Sequence, residues 1–502
     1  MNRRTIKVFL RDHWLLLAIW SLALILRIIV AIISRGYIHA DEQFQSIEIV
    51  FRKIFGYGYV PWEFQRGIRS WLYPGIVWLI FKTMLFLGCT RIETILIAVR
   101  LFSAACSMIT VITSYFLGKL FFSKRVGLIA TFFVAIWFDF LFWSARTITD
   151  SIAMNFAILG VYFFARLLKK RQKKGSAQII PRKPLVFEAI HGLLAGFAFG
   201  LSFMFKFSTV ILAIPFLVFL FIERRWKGAL FSLLALCCMV LVQGLLDFYT
   251  WGGFLQSPIE FFMYNIWTGG SSAHGVSPFL AYLPLMLDAY GEYFMLFLLF
   301  ICLGIKKDRL SLYLLLAVLF YFLVFNLIGH KEYRFILPIM ALLVLFAAKG
   351  VLKYPSFIHK KHFQKQIYGF LAIVTVGFSA SYAFYFYSFQ PARQYCDAFQ
   401  FVGEQEESEV LLVASLGAFF SPGYTYLHKN IPVGYFRKST FNYFMTEFQT
   451  NNTYIIIPES EYIPNFQFYQ DSFLHFNITL VKIFHGTHPR FDEGMYVFKN
   501  NL

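Results

Sequence analysis

The sequence is short of charge, of acid and of cysteine, and each shortage removes a class of protein. Only 15% of its 502 residues are charged, against about a quarter in ordinary soluble domains. That excludes a water-soluble globule. Asp and Glu number 27 against 46 Lys and Arg, a net charge of +19. Such an excess would suit nucleic acid if it formed a patch. Instead it sits in short clusters between apolar runs: "KKRQKKGSAQIIPRKP" (169–184), "ERRWK" (223–227), "KKDR" (306–309) and "KYPSFIHKKHFQKQ" (353–366). No base-reading module accompanies them, so no nucleic-acid partner is expected. The six cysteines are Cys89, Cys106, Cys237, Cys238, Cys302 and Cys396. They lack metal-ligand spacing, and most lie in apolar runs as small buried hydrophobes. Cys396 stands alone in the hydrophilic tail, which excludes an internal disulfide there. Internal repeats and low-complexity segments are also lacking.

What is present is hydrophobic: 58% of residues, 20% aromatic, with a mean hydropathy of +0.62. The expected class is a polytopic α-helical membrane protein. Segments able to span, or nearly so, are 15–34, 71–88, 94–120, 126–143, 149–168, 185–205, 207–222, 228–246, 279–304, 310–328, 335–352 and 367–388. The first follows a basic start, "MNRRTIKVFLRDHW", and reads as a signal anchor beginning in the cytoplasm. The basic clusters then mark cytoplasmic loops. Parity requires an odd number of crossings between 71 and 118, so either 71–88 fails to cross or the segment after it is broken. The total is 11 to 13 transmembrane helices.

This topology gathers five polar segments on the non-cytoplasmic side: 35–70 (the first outer loop), 144–150, the Lys206 turn, 247–278 and 329–334. The tail emerges there too. Its alternating runs "EVLLVAS" (409–415), "TYIIIP" (453–458), "NITLVKIF" (477–484) and "GMYVFK" (494–499) read as strands. The chain therefore divides into a transmembrane domain, 1–389, and a small soluble α/β domain, 390–502. Asn-x-Thr triplets at Asn451 and Asn477 allow glycosylation in a lumen.

Two charged motifs stand out. In "YIHADEQFQSIE", Asp41 and Glu42 lie at a membrane edge, where ionisable groups point to function. A helix over 39–48 would set Asp41, Gln45 and Glu48 on one face. A shielded carboxylate there can take a proton from a substrate hydroxyl, although acids also cap interfacial helices. In "NLIGHKEYRFILPIM", His330, Lys331, Glu332 and Arg334 are packed between apolar spans. Three potential cations around one acid suit a phosphate or pyrophosphate leaving group. Snorkelling explains basic residues at a membrane edge, but not such a cluster on the side opposite the basic loops. Arg146, Asp150, Lys206, Asp247 and Asn265 are weaker candidates on the same side.

"HADEQFQ" resembles the first-loop signature of glycosyltransferase family 22, and "HKEYRFILPI" resembles its His-Lys-Glu-x-Arg-Phe motif. "GYGYVPWEFQRGIRSWLYPG" (56–75), with Trp62, Glu63, Arg69 and Ser70, is similar to the segment that follows the first signature. "DFYTWGGF…SPIEFFMYN" resembles the Asp-containing segment of the later loop. The stretch 56–75 looks most like the GPI mannosyltransferase III branch. This resemblance implies a GT-C fold and an inverting mannosyltransferase that needs no cofactor or metal. It further implies a dolichyl- or other polyprenyl-phosphate-mannose donor and a lipid-linked glycan acceptor, such as an α-1,2-mannosylated GPI-type precursor. The membrane is then the endoplasmic reticulum in a eukaryote or the cytoplasmic membrane in a prokaryote. The expected base is Asp41, with Glu42 as alternate. The expected phosphate ligands are His330, Lys331 and Arg334, then Lys206 and Arg146. His39, Gln45, Glu332, Asp247, Trp62 and Glu63 are expected to orient or bind substrate. The rival readings are another GT-C polyprenyl-phosphate-sugar glycosyltransferase and a membrane transporter. Transporters favour midplane sites and repeats, and neither is visible here.

Overall fold

In lipid the backbone has no water to bond, so an apolar run must close its own hydrogen bonds as a helix. The computed structural model describes residues 3–501 apart from 170–184, 292, 354–375, 378, 380–388, 416, 418–419, 449–451 and 487–492. Among them, seven helices are long and apolar enough to cross unbroken: His13–Ile33, Ile92–Phe121, Thr149–Leu168, Leu185–Phe205, Trp226–Trp251, Arg309–Leu327 and Tyr333–Lys353. Two expected spans are bent pairs instead. Lys124–Ile136 meets Phe138–Ser144 at 58°, and Tyr282–Tyr290 meets Tyr293–Gly304 at 112°. Two shorter apolar helices, Leu72–Phe86 and Phe207–Ile222, complete the set. Most of the expected span at 367–388 and of the basic loops at 169–184 and 353–366 lies outside the described residues, as does Asn451.

Leu72–Phe86 has 15 residues, about 22 Å at the α-helical rise, short of a hydrocarbon core of about 30 Å. Ile92–Phe121 runs unbroken for 30 residues. Of the two segments weighed for the odd crossing, the first is the shorter and the second carries no break. The break at Trp137 has a chemical support. Arg27, in the first span and only 1% exposed, donates from Nη2 to Val134 O at 2.9 Å and from Nη1 to Ala135 O at 3.1 Å. Its Nε donates to Ser107 Oγ at 2.8 Å. The guanidinium answers carbonyls that a continued helix would have bonded itself. Close packing at the other end of that helix needs small residues: a Cβ on Gly118 would stand 2.7 Å from Gly127 Cα.

After the spans comes a five-stranded sheet of order β2-β1-β3-β5-β4. It consists of β1 (Val410–Ala414), β2 (Val433–Phe436), β3 (Thr453–Pro458), β4 (Ile478–Phe484) and β5 (Met495–Asn500). The first three are parallel, whereas β5 runs antiparallel to both β3 and β4. Strand β2, too short for the alternation to reveal, was not expected. Side chains alternate between faces. Leu411, Val413, Tyr454 and Ile456 pack with Val50, Phe51 and Phe64 of the first outer loop. Leu412, Ala414, Ile455 and Ile457 pack on Phe441, Met445, Tyr469 and Phe473. The sheet is therefore roofed by its own helices and seated on the segment that follows Asp41.

Candidate active site

The first outer segment is not a uniform helix. His39 caps a short α-turn, Ala40–Glu42, its Nδ1 accepting from Asp41 N at 3.2 Å. A π-helical turn, Gln43–Ile47, follows, and then the α-helix Glu48–Phe55. The wide turn inserts an extra residue and shifts the phase of everything after it. The expected shared face of Asp41, Gln45 and Glu48 does not form. Asp41 faces Arg334, Gln45 faces Glu63, and Glu48 faces the tail.

The two charged motifs meet at Asp41 and Arg334. Arg334 Nη2 donates to Asp41 Oδ2 at 2.6 Å and to Glu332 Oε1 at 2.9 Å. Its Nε lies 2.7 Å from Glu332 Oε2. His330 Nε2 sits 2.8 Å from Glu332 Oε1, and His39 Nε2 lies 3.4 Å from Glu332 Oε2. Glu332 is thus the hub, shared by one arginine and two histidines. Burial works against ionising Asp41, but Arg334 and the His39 hydrogen bond overcome it and hold the carboxyl well below the usual range. Glu332 is likewise pulled to about 2, chiefly by Arg334 and His330 against burial. The hydrogen bond to Glu332 raises His330, which also contacts Gly275 O at 3.2 Å. Buried ion pairs are weak contributors to stability, because desolvation offsets their attraction. A knot of this kind is better explained by chemistry than by folding.

The remaining expected residues divide into near and far. Glu42 Oε1 accepts from Ile38 N at 2.9 Å, and its Oε2 lies 3.9 Å from Arg146 Nη1. Arg146 also donates to Phe389 O and stacks over Phe142. Lys206 Nζ pairs with Asp150 Oδ2 at 3.0 Å and lies over Phe335, next to Arg334 in the chain. Lys331 points to backbone instead, donating to Ile328 O at 2.7 Å and Ser277 O at 3.1 Å. Glu63 is 1% exposed. It accepts from Gln45 Nε2 at 3.2 Å and lies 3.6 Å from Arg69 Nη2. Trp62 stacks on His274, which packs on His330. Asp247 stands apart, accepting from Ser257 and Gln243, while Gln243 Oε1 accepts from Ser70. It braces the loop that carries Arg69.

Sequence reasoning missed Asp139, whose Oδ2 accepts from Tyr333 Oη at 2.6 Å and Tyr290 Oη at 2.9 Å. An acid inside "FDFLFWS" was the available signal. It also left Arg69 as a motif letter. Among the described residues no group of three or more His, Cys, Asp or Glu is arranged to hold a metal ion.

Comparison with known proteins matches residues 18–428 to the Alg9-like mannosyltransferase family. A GPI mannosyltransferase 3 from Candida albicans is 27% identical over 333 residues, 64% of this chain and 61% of that protein. Mannosyltransferase APTG1 from Arabidopsis thaliana is 26% identical over 333 residues, 66% of this chain and 57% of that protein. The matches thus span about three fifths of these curated relatives. ArnT from Cupriavidus metallidurans, in a crystal structure bound to undecaprenyl phosphate, superposes with a TM-score of 0.59 at 10% identity. The superposition covers 97% of this chain and 98% of that one, so the fold is the GT-C fold of multi-pass membrane enzymes. Both charged motifs lie inside the family match, and the chain belongs to the Alg9-like mannosyltransferases, glycosyltransferase family 22.

Proposed function

We propose that this chain transfers mannose from a polyprenyl-phosphate-mannose donor to a lipid-linked glycan, inverting the anomeric centre. Relatives carrying the name GPI mannosyltransferase 3 support a GPI-type precursor as acceptor and an α-1,2 linkage as product. The observation that carries the reading is the buried contact of Asp41 with Arg334 at 2.6 Å. It joins a candidate base to a candidate phosphate ligand across nearly 300 residues of chain.

At rest the two are paired through Arg334 Nη2, while Arg334 Nη1 is buried without a hydrogen-bond partner. A donor phosphate entering the knot draws Arg334 and His330, whose pKa the hydrogen bond to Glu332 raises, toward its oxygens. Asp41 loses the cation that holds its pKa down, while its burial, which pushes the pKa up, remains. It becomes a competent base at the moment the donor is bound. The acceptor hydroxyl then attacks the anomeric carbon and gives its proton to Asp41. The bond from that carbon to the phosphate oxygen breaks, and its electron pair leaves with the phosphate. Preorganised cations lower the barrier because they are already aimed where charge develops. Glu42, bonded to its own turn and facing Arg146, is the alternate base. Glu332 orients Arg334 and His330, and His39 orients Glu332. Lys331 holds the 275–278 and 328–331 backbones together beside the phosphate, and Arg146 and Lys206 stand behind. The reaction calls on no metal or cofactor.

The site belongs on the non-cytoplasmic side, in the endoplasmic reticulum or a prokaryotic cytoplasmic membrane, with residues 390–502 as a soluble domain on the same side. The test is incubation of purified protein with radiolabelled polyprenyl-phosphate-mannose and a panel of lipid-linked acceptors. Transfer to one acceptor supports the reading. Flux without covalent change would favour a transporter, and transfer of a different sugar another GT-C enzyme. Activity lost in EDTA and restored by metal would refute the metal-free step.

A further inference from the structure

The tail carries an open cleft of about 590 Å³ at the carboxyl ends of its parallel strands, a size ordinary for small-molecule sites. Ser415 follows β1, Arg437 and Lys438 follow β2, and Glu461 lies in the short helix after β3. All four line the cleft, together with Asn442 and Phe468. Topology explains the position. With the order β2-β1-β3, the chain leaves β1 toward β2 on one side and then crosses to β3 on the other. The two connections part and leave a crevice between the ends of β1 and β3. Open α/β sheets bind their ligands at such a switch point. Ser415 is held there at a φ of +58°, a conformation uncommon outside glycine, and its Oγ donates to Glu461 Oε2 at 2.8 Å.

The cations of the cleft lack the partners that others in the tail have. Arg393 pairs with Asp397, Lys499 pairs with Glu407, and Lys429 donates to Gln405 O, Glu406 O and Ser408 Oγ. Arg437 and Lys438 are adjacent and exposed, and among the described residues neither forms an ion pair. Lys438 Nζ donates to the Asn465 amide oxygen at 2.8 Å and lies over the Phe468 ring. The acceptors, by contrast, are engaged. Glu461 takes the hydroxyls of Ser415 and Tyr469, and Asn442 Oδ1 takes that of Ser472 at 3.3 Å. The cleft therefore has a surplus of donors, two of them cationic. A phosphate, which accepts on every oxygen and carries negative charge, matches that surplus. An uncharged sugar would leave both cations unmatched, and a phosphate alone would leave most of the volume unfilled. We propose that this cleft binds an organic phosphate ester, its phosphate on Arg437 and Lys438 and its organic part against Phe468 and Asn442. None of the walls belongs to the Asp41–Arg334 knot, so this is a second site, beyond mannosyl transfer.

The experiment titrates the purified full chain in detergent micelles with glycerol phosphate, and with glycerol and glycerate as its uncharged and carboxylate counterparts. Glycerol phosphate should bind saturably and at least roughly tenfold more tightly than either counterpart. Arg437→Ala and Lys438→Ala should each weaken it roughly tenfold. Both side chains are exposed, so neither change opens the core. Arg393→Ala, which removes a paired cation of the same domain, should leave binding unchanged. Short-chain phosphatidic acid added to the micelles separates the two sources of such a group. Displacement of glycerol phosphate supports the site as one for a lipid headgroup, and no displacement supports it as one for a soluble ester. Binding that neither Arg437→Ala nor Lys438→Ala weakens lies elsewhere in the molecule and overturns the inference. Equal binding of glycerate, or no saturable binding of glycerol phosphate, overturns it as well.

Discussion

Glu48 offers the sharpest test of how the segment carrying Asp41 is held. Its carboxylate is 0% exposed and is surrounded by donors. Oε1 accepts from Tyr59 N at 3.1 Å and Tyr424 N at 3.0 Å, and Oε2 from Thr425 N at 3.0 Å and Thr425 Oγ1 at 2.7 Å. One side chain of the first outer segment thereby caps the amides at the start of helix Gly423–Leu427 in the tail. Burial alone would disfavour the ion, and these four hydrogen bonds oppose that cost. Glu48→Ala strips three amides and a hydroxyl of their acceptor. At the low end of the penalty, since water can enter the space, about 1 kcal/mol for each amide gives about 3 kcal/mol. That corresponds to local opening on the order of a hundredfold more frequent. Hydrogen exchange of the Tyr424 and Thr425 amides in detergent-purified protein reads this directly. Glu48→Gln keeps one acceptor oxygen and should fall between the two. Exchange within about threefold of wild type in Glu48→Ala would refute the reasoning. The tail would then be held by contacts such as Tyr59 Oη to Tyr435 Oη at 2.9 Å and Tyr37 Oη to Phe420 O at 2.8 Å.

The same latch makes Gly423 irreplaceable: its φ is +73°, and an added Cβ would stand 2.5 Å from Glu48 Oε2. Gly423→Ala should lose about 1–3 kcal/mol of the same local stability by hydrogen exchange, and an unaltered exchange rate would contradict the contact. Asp41→Asn should insert and fold yet transfer roughly 10²–10⁴ times more slowly; near-full transfer by a normally inserted protein would end its assignment as base. For Glu332, whose pKa falls from an ordinary 4.5 to about 2, the folded state favours the ion. Its stabilising contribution is complete above about pH 4.5 and is lost as pH falls toward 2. Thermal midpoints of wild type should therefore drop more steeply than those of Glu332→Gln below pH 4.5, and parallel curves would refute the coupling.

Some of this was legible in the residues, and particular elements show why. Thr149–Leu168 and Leu185–Phe205 begin and end where hydropathy put them. A span is decided by its own side chains against lipid, with little reference to neighbours. The strands at 410–414 and 453–458 were equally visible, because alternation is local. Strand β2 was not, since four residues carry no period. The bends at Trp137 and near Gly291 were also hidden, since Arg27 supports the first from another helix. In the outer segment a helical wheel grouped Gln45 and Glu48 with Asp41. The π-helical turn undid that grouping, because only the docking of Glu48 on the tail and of Asp41 on Arg334 makes a wide turn worth forming.

By itself, then, the chain determined its solvent and its chemistry. Apolar length fixed which segments enter lipid, and residue type fixed that acids and cations would be available at the membrane edge. The tertiary structure alone decided the pairings: Asp41 with Arg334, Glu42 with Arg146, Lys206 with Asp150, Glu63 with Gln45. Hydropathy and propensity act over one or two turns of backbone. A buried charge finds its partner only where packing brings distant segments together, and that choice is made by the whole fold.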